Sequence, residues 1–392
     1  MVLVLLALLA ACGGSNDTSG LAPPDADNND DSPYFPPPQV SGEPQVSEAL
    51  DFHVETVASG LNIPWSIAFL PDGHVLVTER GGWLRLIENG ELRLENITGV
   101  PDVFAQGQGG LLDVAVHPDY EDNGWIYLSY AEPGEGGAHT ALMRARLDTE
   151  TLTLVDQEPL FSGEPKTTDT RHFGGRIVLQ EGYVYLSMGD RGVMDEAQNL
   201  GTHNGSIVRL HDDGRIPEDN PFVNQADALP ETWSYGHRNT QGLAIHPADG
   251  TIWNNEHGPR GGDEINIIRR AGNYGWPVIT YGVDYDGTPI SDETEKEGME
   301  QPLTWWTPSI APSGLAFVTG NRYPGWQQNL MTGALAGQQL RRIVLDGEEV
   351  VHEEILLLGI GRIRDVRMGP DGYLYFANES DGTIRRIVSA SQ

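Results

Sequence analysis

A chain of 392 residues with 24 Lys plus Arg against 57 Asp plus Glu has a formal net charge of −33, which excludes nucleic acid and bare anionic membrane surfaces as electrostatic partners. With 48 Gly, 26 Pro and 39% hydrophobic residues, it has the composition of many turns and short strands, long enough for one large all-β domain. Cys12 is the one cysteine, so an intramolecular disulfide and a cysteine-built metal site are both ruled out.

Residues Val2 to Ala11 form an apolar run too short to cross a bilayer, as in the hydrophobic region of a signal peptide. The run ends Leu9-Ala10-Ala11-Cys12 and resembles the lipobox of bacterial lipoproteins. That resemblance implies that 1–12 is a lipoprotein-type signal peptide, with an acylated Cys12 at the mature N-terminus. Only Met1 precedes the run, which places the expected start of translation further upstream. Gly13 follows the cysteine where, by the same resemblance, an aspartate would signal inner-membrane retention, so the expected location is the cell envelope, lipid-anchored on the periplasmic side of the outer membrane, or the periplasm if the run is an ordinary cleaved signal. The lipid anchor is then the only membrane contact. Residues 13–50, with an acidic run from Asp25 to Asp31 and Pro36-Pro37-Pro38, read as a disordered tether.

Residues 51–392 repeat a turn followed by a short β-branched or aromatic strand. The copies are Leu70-Pro71-Asp72-Gly73 to Val77, His117-Pro118-Asp119 to Leu128, Gln180 to Leu186, His246 to Trp253, a weaker one at Gly314 to Val318, and Gly369-Pro370-Asp371-Gly372 to Phe376. Such units predict an all-β, six-bladed β-propeller of four-stranded antiparallel blades, with a two-sheet sandwich or two smaller β domains as the alternative. The strand predicted at Phe52 to Ala58 precedes the first full unit and completes the last blade, closing the ring. Uneven repeat spacing leaves long insertions, expected on one face.

Several of those insertions hold polar groups among glycines. Gln108 lies in Gln106-Gly107-Gln108-Gly109-Gly110, which reads as a close-approach loop or as an ordinary turn. His172 sits in Arg171-His172-Phe173-Gly174-Gly175-Arg176, one strand before Gly189-Asp190-Arg191. A carboxylate beside an imidazole is what a general base needs, and a satisfied loop histidine is the other reading. Arg238 and Asn239 share a short loop suited to clamping a carboxylate or phosphate, or to a surface salt bridge. Asn254 to Asn266 is rich in oxygens, glycines and a proline, in the manner of a calcium site or of an acidic turn, and does not have EF-hand spacing. Arg362 and Arg364 stand two apart and point the same way on an extended segment. With Arg238 they would make a positive pocket in an acidic protein, or they stand as three unrelated surface arginines.

Taken in order, Gln-Gly-Gly-Leu-Leu at 108–112, His-x-x-Gly-Arg at 172–176, Gly-Asp at 189–190, Gly-His-Arg-Asn-x-Gln-Gly at 236–242, Glu-His-Gly-Pro at 256–259 with Asp-Glu-Ile-Asn at 263–266, and Arg-Ile-Arg-Asp-Val at 362–366 resemble the soluble quinoprotein sugar dehydrogenases. This is the glucose/sorbosone dehydrogenase family, with its aldose sugar dehydrogenases, and the resemblance spans about 52–388. It implies pyrroloquinoline quinone (PQQ) on one face of the propeller with a calcium ion beside it. His172 matches the base that takes the C1 hydroxyl proton of an aldose while hydride passes to the quinone C5, and Asp190 matches its supporting carboxylate. Gln108, Arg238, Asn239, Arg362 and Arg364 match cofactor contacts. The main-chain oxygens of Gly258 and Pro259 match the cofactor-side calcium, and Glu264 and Tyr274 a second, structural calcium.

One position departs from the pattern. Ala336, in Gly333-Ala334-Leu335-Ala336-Gly337, stands where glucose-type members carry a lysine that contacts the quinone. Shorter substrate loops imply broad aldose specificity, and Tyr281, Trp305 and Trp306 are candidate sugar-stacking or core aromatics. An electron acceptor for the reduced cofactor is implied but not identified. A calcium-dependent propeller hydrolase of the lactonase type and a non-catalytic sugar- or partner-binding propeller stay open; the first leaves the arginines unexplained, the second the His172 and Asp190 pair.

Overall fold

A computed structural model describes residues 38–40 and 42–390. The lipobox, Cys12 and the tether up to residue 37 lie outside the described residues.

The strands form six antiparallel sheets of four, arranged as a propeller. Strand β1 (Phe52–Ala58) comes first. The first blade is β2 (Pro64–Phe69), β3 (Val75–Glu79), β4 (Trp83–Glu88) and β5 (Glu91–Leu92), and the second is β6 (Leu111–Val116), β7 (Trp125–Gly134), β8 (Gly137–Asp148) and β9 (Thr153–Ser162). The third holds β10 (Ile177–Gln180), β11 (Tyr183–Ser187), β12 (Ser206–His211) and β13 (Thr232–Tyr235), and the fourth β14 (Thr240–Ile245), β15 (Ile252–Glu256), β16 (Asp263–Ile268) and β17 (Thr304–Trp306). The fifth holds β18 (Pro312–Phe317), β19 (Leu330–Ala334), β20 (Gln339–Asp346) and β21 (Glu349–Leu356). In the sixth, β22 (Ile363–Met368), β23 (Leu374–Asn378) and β24 (Thr383–Ser389) are completed by β1. Phe52 pairs with Ser389 and Ala58 with Ile384, so the first strand closes the ring and leaves no open edge there.

Second strands such as β3 read as unbroken apolar runs because both faces are buried. Val75 and Val77 pack toward Tyr375 and Ala377 of the sixth blade, while Leu76 packs toward Leu128 of the second. A separate apolar cluster of this kind fills each gap between neighbouring blades. The recurring Pro-Asp-Gly turns join first to second strands. In the first, Gly73 has φ 91° and donates to the Leu70 carbonyl at 3.1 Å, and Asp72 Oδ1 accepts from the His74 amide at 3.0 Å.

Residues 45–50, placed with the tether by composition, run against the fifth and sixth blades. Gln45 pairs with Phe52, Leu50 packs on the cluster around Trp326, and Glu48 meets His352 at 2.6 Å.

At the axis, buried charges join the innermost strands. Arg176 Nη1 lies 2.9 Å from Asp365 and Arg367 Nη2 lies 2.8 Å from Asp113. Asp365 accepts from the Ile67 amide at 2.9 Å and Asp113 from the Ile177 amide at 2.8 Å. At the end of the innermost strands that bears the site, the ladder shifts register between Pro64 and Ser66, Leu111 and Val114, Thr240 and Gly242, Pro312 and Leu315, and Ile363 and Asp365. Irregularities of this sort bend a strand and re-aim its side chains.

Candidate active site

Strand β10 enters the ring through the sharp turn His172 to Gly175. His172 has φ 52°, Gly174 64° and Gly175 101°, left-handed values that glycine adopts freely and histidine at a modest cost. Gln108 Oε1 holds the bend by accepting from the His172 amide at 2.8 Å, and Asn239 Oδ1 accepts from Gly174 at 3.1 Å. Two residues predicted to touch a ligand therefore also shape the loop that carries His172.

His172 is buried, and its Nδ1 lies 2.6 Å from Asp190 Oδ1. Asp190 also accepts from the Gly192 amide at 2.8 Å and from Trp276 Nε1 at 2.8 Å. Burial works against its charge, but the hydrogen bond from His172 and the charge of Arg238 hold its carboxyl below the usual range. An ionised carboxylate can only accept, so Nδ1 carries the proton and Nε2 the lone pair. Nε2 has no hydrogen-bond partner among the described residues. Burial, aided by the nearby positive charge of Arg238, lowers the imidazole pKa despite Asp190. The result is a neutral, oriented imidazole with one free nitrogen.

Beside it lies a cavity of about 250 Å³, slightly under the roughly 300 to 1,000 Å³ of common ligand sites. Trp65, Leu112, Phe173 and Leu335 give it apolar walls, and Gln108, Gln241, Arg80, Arg362 and Arg364 polar ones. Arg362 and Arg364 both reach Glu379, Arg364 at 2.9 Å. Although burial opposes it, these two arginines keep the Glu379 carboxyl below its usual range. His257 also lines the cavity, but its Nε2 donates to the Pro312 carbonyl at 2.7 Å. Burial pushes its pKa down to about 3, so it is an uncharged wall.

Arg238 donates from Nη1 to the carbonyls of His257 at 3.1 Å and Gly258 at 2.8 Å. Its Nη2 is 3.5 Å from the Tyr285 hydroxyl. Among the described residues, Arg238 Nε and Asn239 Nδ2 are buried donors with no partner. Unsatisfied donors of this type carry a cost unless a ligand or water accepts from them.

The predicted cation ligands lie on the next loop. The Gly258 carbonyl takes the Arg238 bond, and that of Pro259 accepts from Ser309 Oγ at 3.2 Å; each keeps a second lone pair. Glu264 and Tyr274 line a small enclosure with Glu256, Gly258 and Thr280. Burial and the adjacent Glu256 raise the Glu264 carboxyl well above its usual range. The Tyr274 hydroxyl is committed elsewhere, donating to the Ile267 carbonyl at 2.6 Å and accepting from the Arg269 amide at 2.8 Å. Among the described residues no three His, Cys, Asp or Glu side chains form a metal-holding group, so a cation here would draw on main-chain oxygens.

The predicted polar residues thus assemble on one face. Tyr281 and Trp305 stack on each other at 3.9 Å and do not line the cavity, and Trp306 is buried in the gap between the fourth and fifth blades. Sequence reasoning missed Trp276, Glu379, Tyr285 and Arg80. Trp276 and Glu379 act on the reactive groups from behind and carry no motif of their own.

A family model described as glucose/sorbosone dehydrogenase matches residues 61–386. The aldose sugar dehydrogenase YliI of Escherichia coli is 44% identical over 86% of this chain and 92% of its own length. Quinoprotein glucose dehydrogenase B of Acinetobacter calcoaceticus is 28% identical over 86% of this chain and 87% of its own. Among solved structures, the PQQ-bound aldose sugar dehydrogenase of Streptomyces coelicolor superposes with a TM-score of 0.71 at 28% identity, covering 88% of this chain and 99% of that one.

Proposed function

Since the chain belongs to the glucose/sorbosone dehydrogenase family, we propose that it oxidises aldose sugars at C1 to the lactone, using PQQ and calcium, with His172 as general base. The observation that carries this reading is the His172 and Asp190 pair, with Nε2 unpartnered, beside a cavity walled by arginines.

Arg362, Arg364, Arg238, Asn239 and Gln108 are the groups that would hold PQQ. The partnerless donors Arg238 Nε and Asn239 Nδ2 fit an acceptor-rich ligand, and a tricarboxylate suits guanidinium groups. The carbonyls of Gly258 and Pro259 would hold calcium on the cofactor side, and Glu264 with the Tyr274 segment a second ion. When bound, the quinone supplies the acceptor for the two electrons that leave C1 as hydride. His172 Nε2 takes the proton from the C1 hydroxyl as that hydride departs, and Asp190 steadies the resulting imidazolium. Burial of His172 keeps it unprotonated before reaction. Acylation of Cys12 would tether the propeller on the periplasmic side of the outer membrane, where a separate acceptor collects the electrons.

The test is reconstitution of the metal-free apoprotein with PQQ and calcium, separately and together, followed by dye-linked aldose oxidation. Activity is expected only with both. Folded protein that binds PQQ and calcium and oxidises no aldose contradicts the reading.

A further inference from the structure

We propose that Arg80, a residue in none of the recognised motifs, binds a carboxylate of the cofactor and supplies a cation to a site that has Ala336 in place of a lysine. This rests on the PQQ reading above.

Arg80 follows β3 in the first blade and lines the same cavity as Arg362 and Arg364. Its backbone is fixed on both sides: its amide donates to the Ile63 carbonyl at 3.1 Å, and its carbonyl accepts from the Leu111 amide at 3.2 Å. A Cβ at Gly110 would sit 1.9 Å from that carbonyl oxygen and 2.9 Å from Arg80 Cγ, so the loop bearing Gln108 packs directly over this residue. The side chain is half-buried, and among the described residues its guanidinium makes no hydrogen bond and no ion pair.

Its neighbours differ. Arg362 and Arg364 share the charge of Glu379, leaving one net positive charge between them. Arg238 spends Nη1 on two carbonyls. Among the described residues, Arg80 is the cation lining this cavity whose charge and donors are uncommitted. The guanidinium of a partly buried residue with no partner among the described residues, in a chain with a net charge of −33, is poised for an anionic ligand. It stands in the blade next to Arg362 and Arg364 and across the ring from Arg238. Leu335 lines the intervening wall, while Ala336 beyond it is exposed and uncharged. One net charge from the Arg362 and Arg364 pair, one from Arg238 and one from Arg80 match the three carboxylates of PQQ.

The experiment is equilibrium titration of PQQ, and of its trimethyl ester, into calcium-loaded apoprotein by calorimetry or tryptophan fluorescence, for wild type, Arg80→Gln and Arg80→Lys. Loss of one charge-assisted contact should weaken PQQ about tenfold to a hundredfold in Arg80→Gln, with partial recovery in Arg80→Lys. The ester should bind wild type and Arg80→Gln alike. Thermal melting of each apoprotein reports folding, and Arg80→Lys carries the test if Arg80→Gln does not fold. Equal PQQ affinity in wild type and variants overturns the proposal. So does an effect confined to the aldose KM at saturating PQQ, which would assign the arginine to the sugar. If wild type itself fails to bind PQQ, the functional reading fails before the role of Arg80 is reached.

Discussion

Gly189 lies directly against the backbone of His172: a Cβ at position 189 would stand 2.0 Å from the His172 carbonyl oxygen and 2.4 Å from its carbonyl carbon. No side chain can occupy that gap unless the histidine turn moves. Gly189→Ala should therefore lower kcat for aldose oxidation by about a hundredfold, the cost of displacing a reacting group by roughly 1 Å. Stopped-flow or dye-linked kinetics on folded variant would show it; an unchanged kcat would mean that the position of His172 is not critical.

Removing the base should cost more. His172→Gln is expected to reduce kcat by about 10² to 10⁴ while leaving PQQ affinity within a few-fold, because the arginines stay in place. Asp190→Asn should fall between this variant and wild type, since imidazole remains but loses its fixed orientation. Parallel binding and rate measurements separate the two effects.

The pH dependence follows from the direction of the His172 shift. Burial and Arg238 hold its pKa below the ordinary 6.5, and the neutral form is the active one. The kcat/KM profile should rise with pH to a plateau, with its acid midpoint below 6.5. In Asp190→Asn, which loses the group that raises this pKa, the midpoint should move further toward acid. A midpoint above 6.5 in wild type would show that another group controls the acid limb.

Arg176 predicts a stability effect without a catalytic role. It is buried and donates to the Gln241 carbonyl at 2.6 Å and the Arg364 carbonyl at 2.8 Å while pairing with Asp365 at 2.9 Å. Arg176→Met strands Asp113 and Asp365 with Arg367 alone and should cost about 3 to 5 kcal/mol, seen as a lower urea midpoint. Arg269→Ala, at the exposed pair with Glu348, should leave the midpoint unmoved.

The blades were legible because their physics is local. A turn of the Pro-Asp-Gly type or a relative beside an alternating or wholly apolar strand joins first to second strand in five blades, whereas the fifth copy, Gly314 to Val318, falls on the first strand β18 and a longer connection follows it; Phe52 to Ala58 could be assigned to the last blade because a ring needs closure. His172, Asp190, Gln108 and the three arginines were legible as short motifs. The rest depends on distant chain segments. Trp276 reaches Asp190 from an insertion 86 positions later, and Asp365 meets the Ile67 amide across 298. Nothing near Arg80 marks it as facing the cavity. The aromatic pair Tyr281 and Trp305 had the right chemistry for a sugar platform, but its rings are stacked on each other.

The role of His172 as base is tested by oxidation of C1-deuterated against ordinary aldose by the PQQ- and calcium-loaded protein in a single turnover, for wild type and His172→Ala. A primary isotope effect is expected in wild type, and a rate in the variant lower by about 10² to 10⁴ that still carries the isotope effect and no longer depends on pH in the acid range. A variant that reacts as fast as wild type, with the same acid limb, would contradict the assignment of His172 as the base.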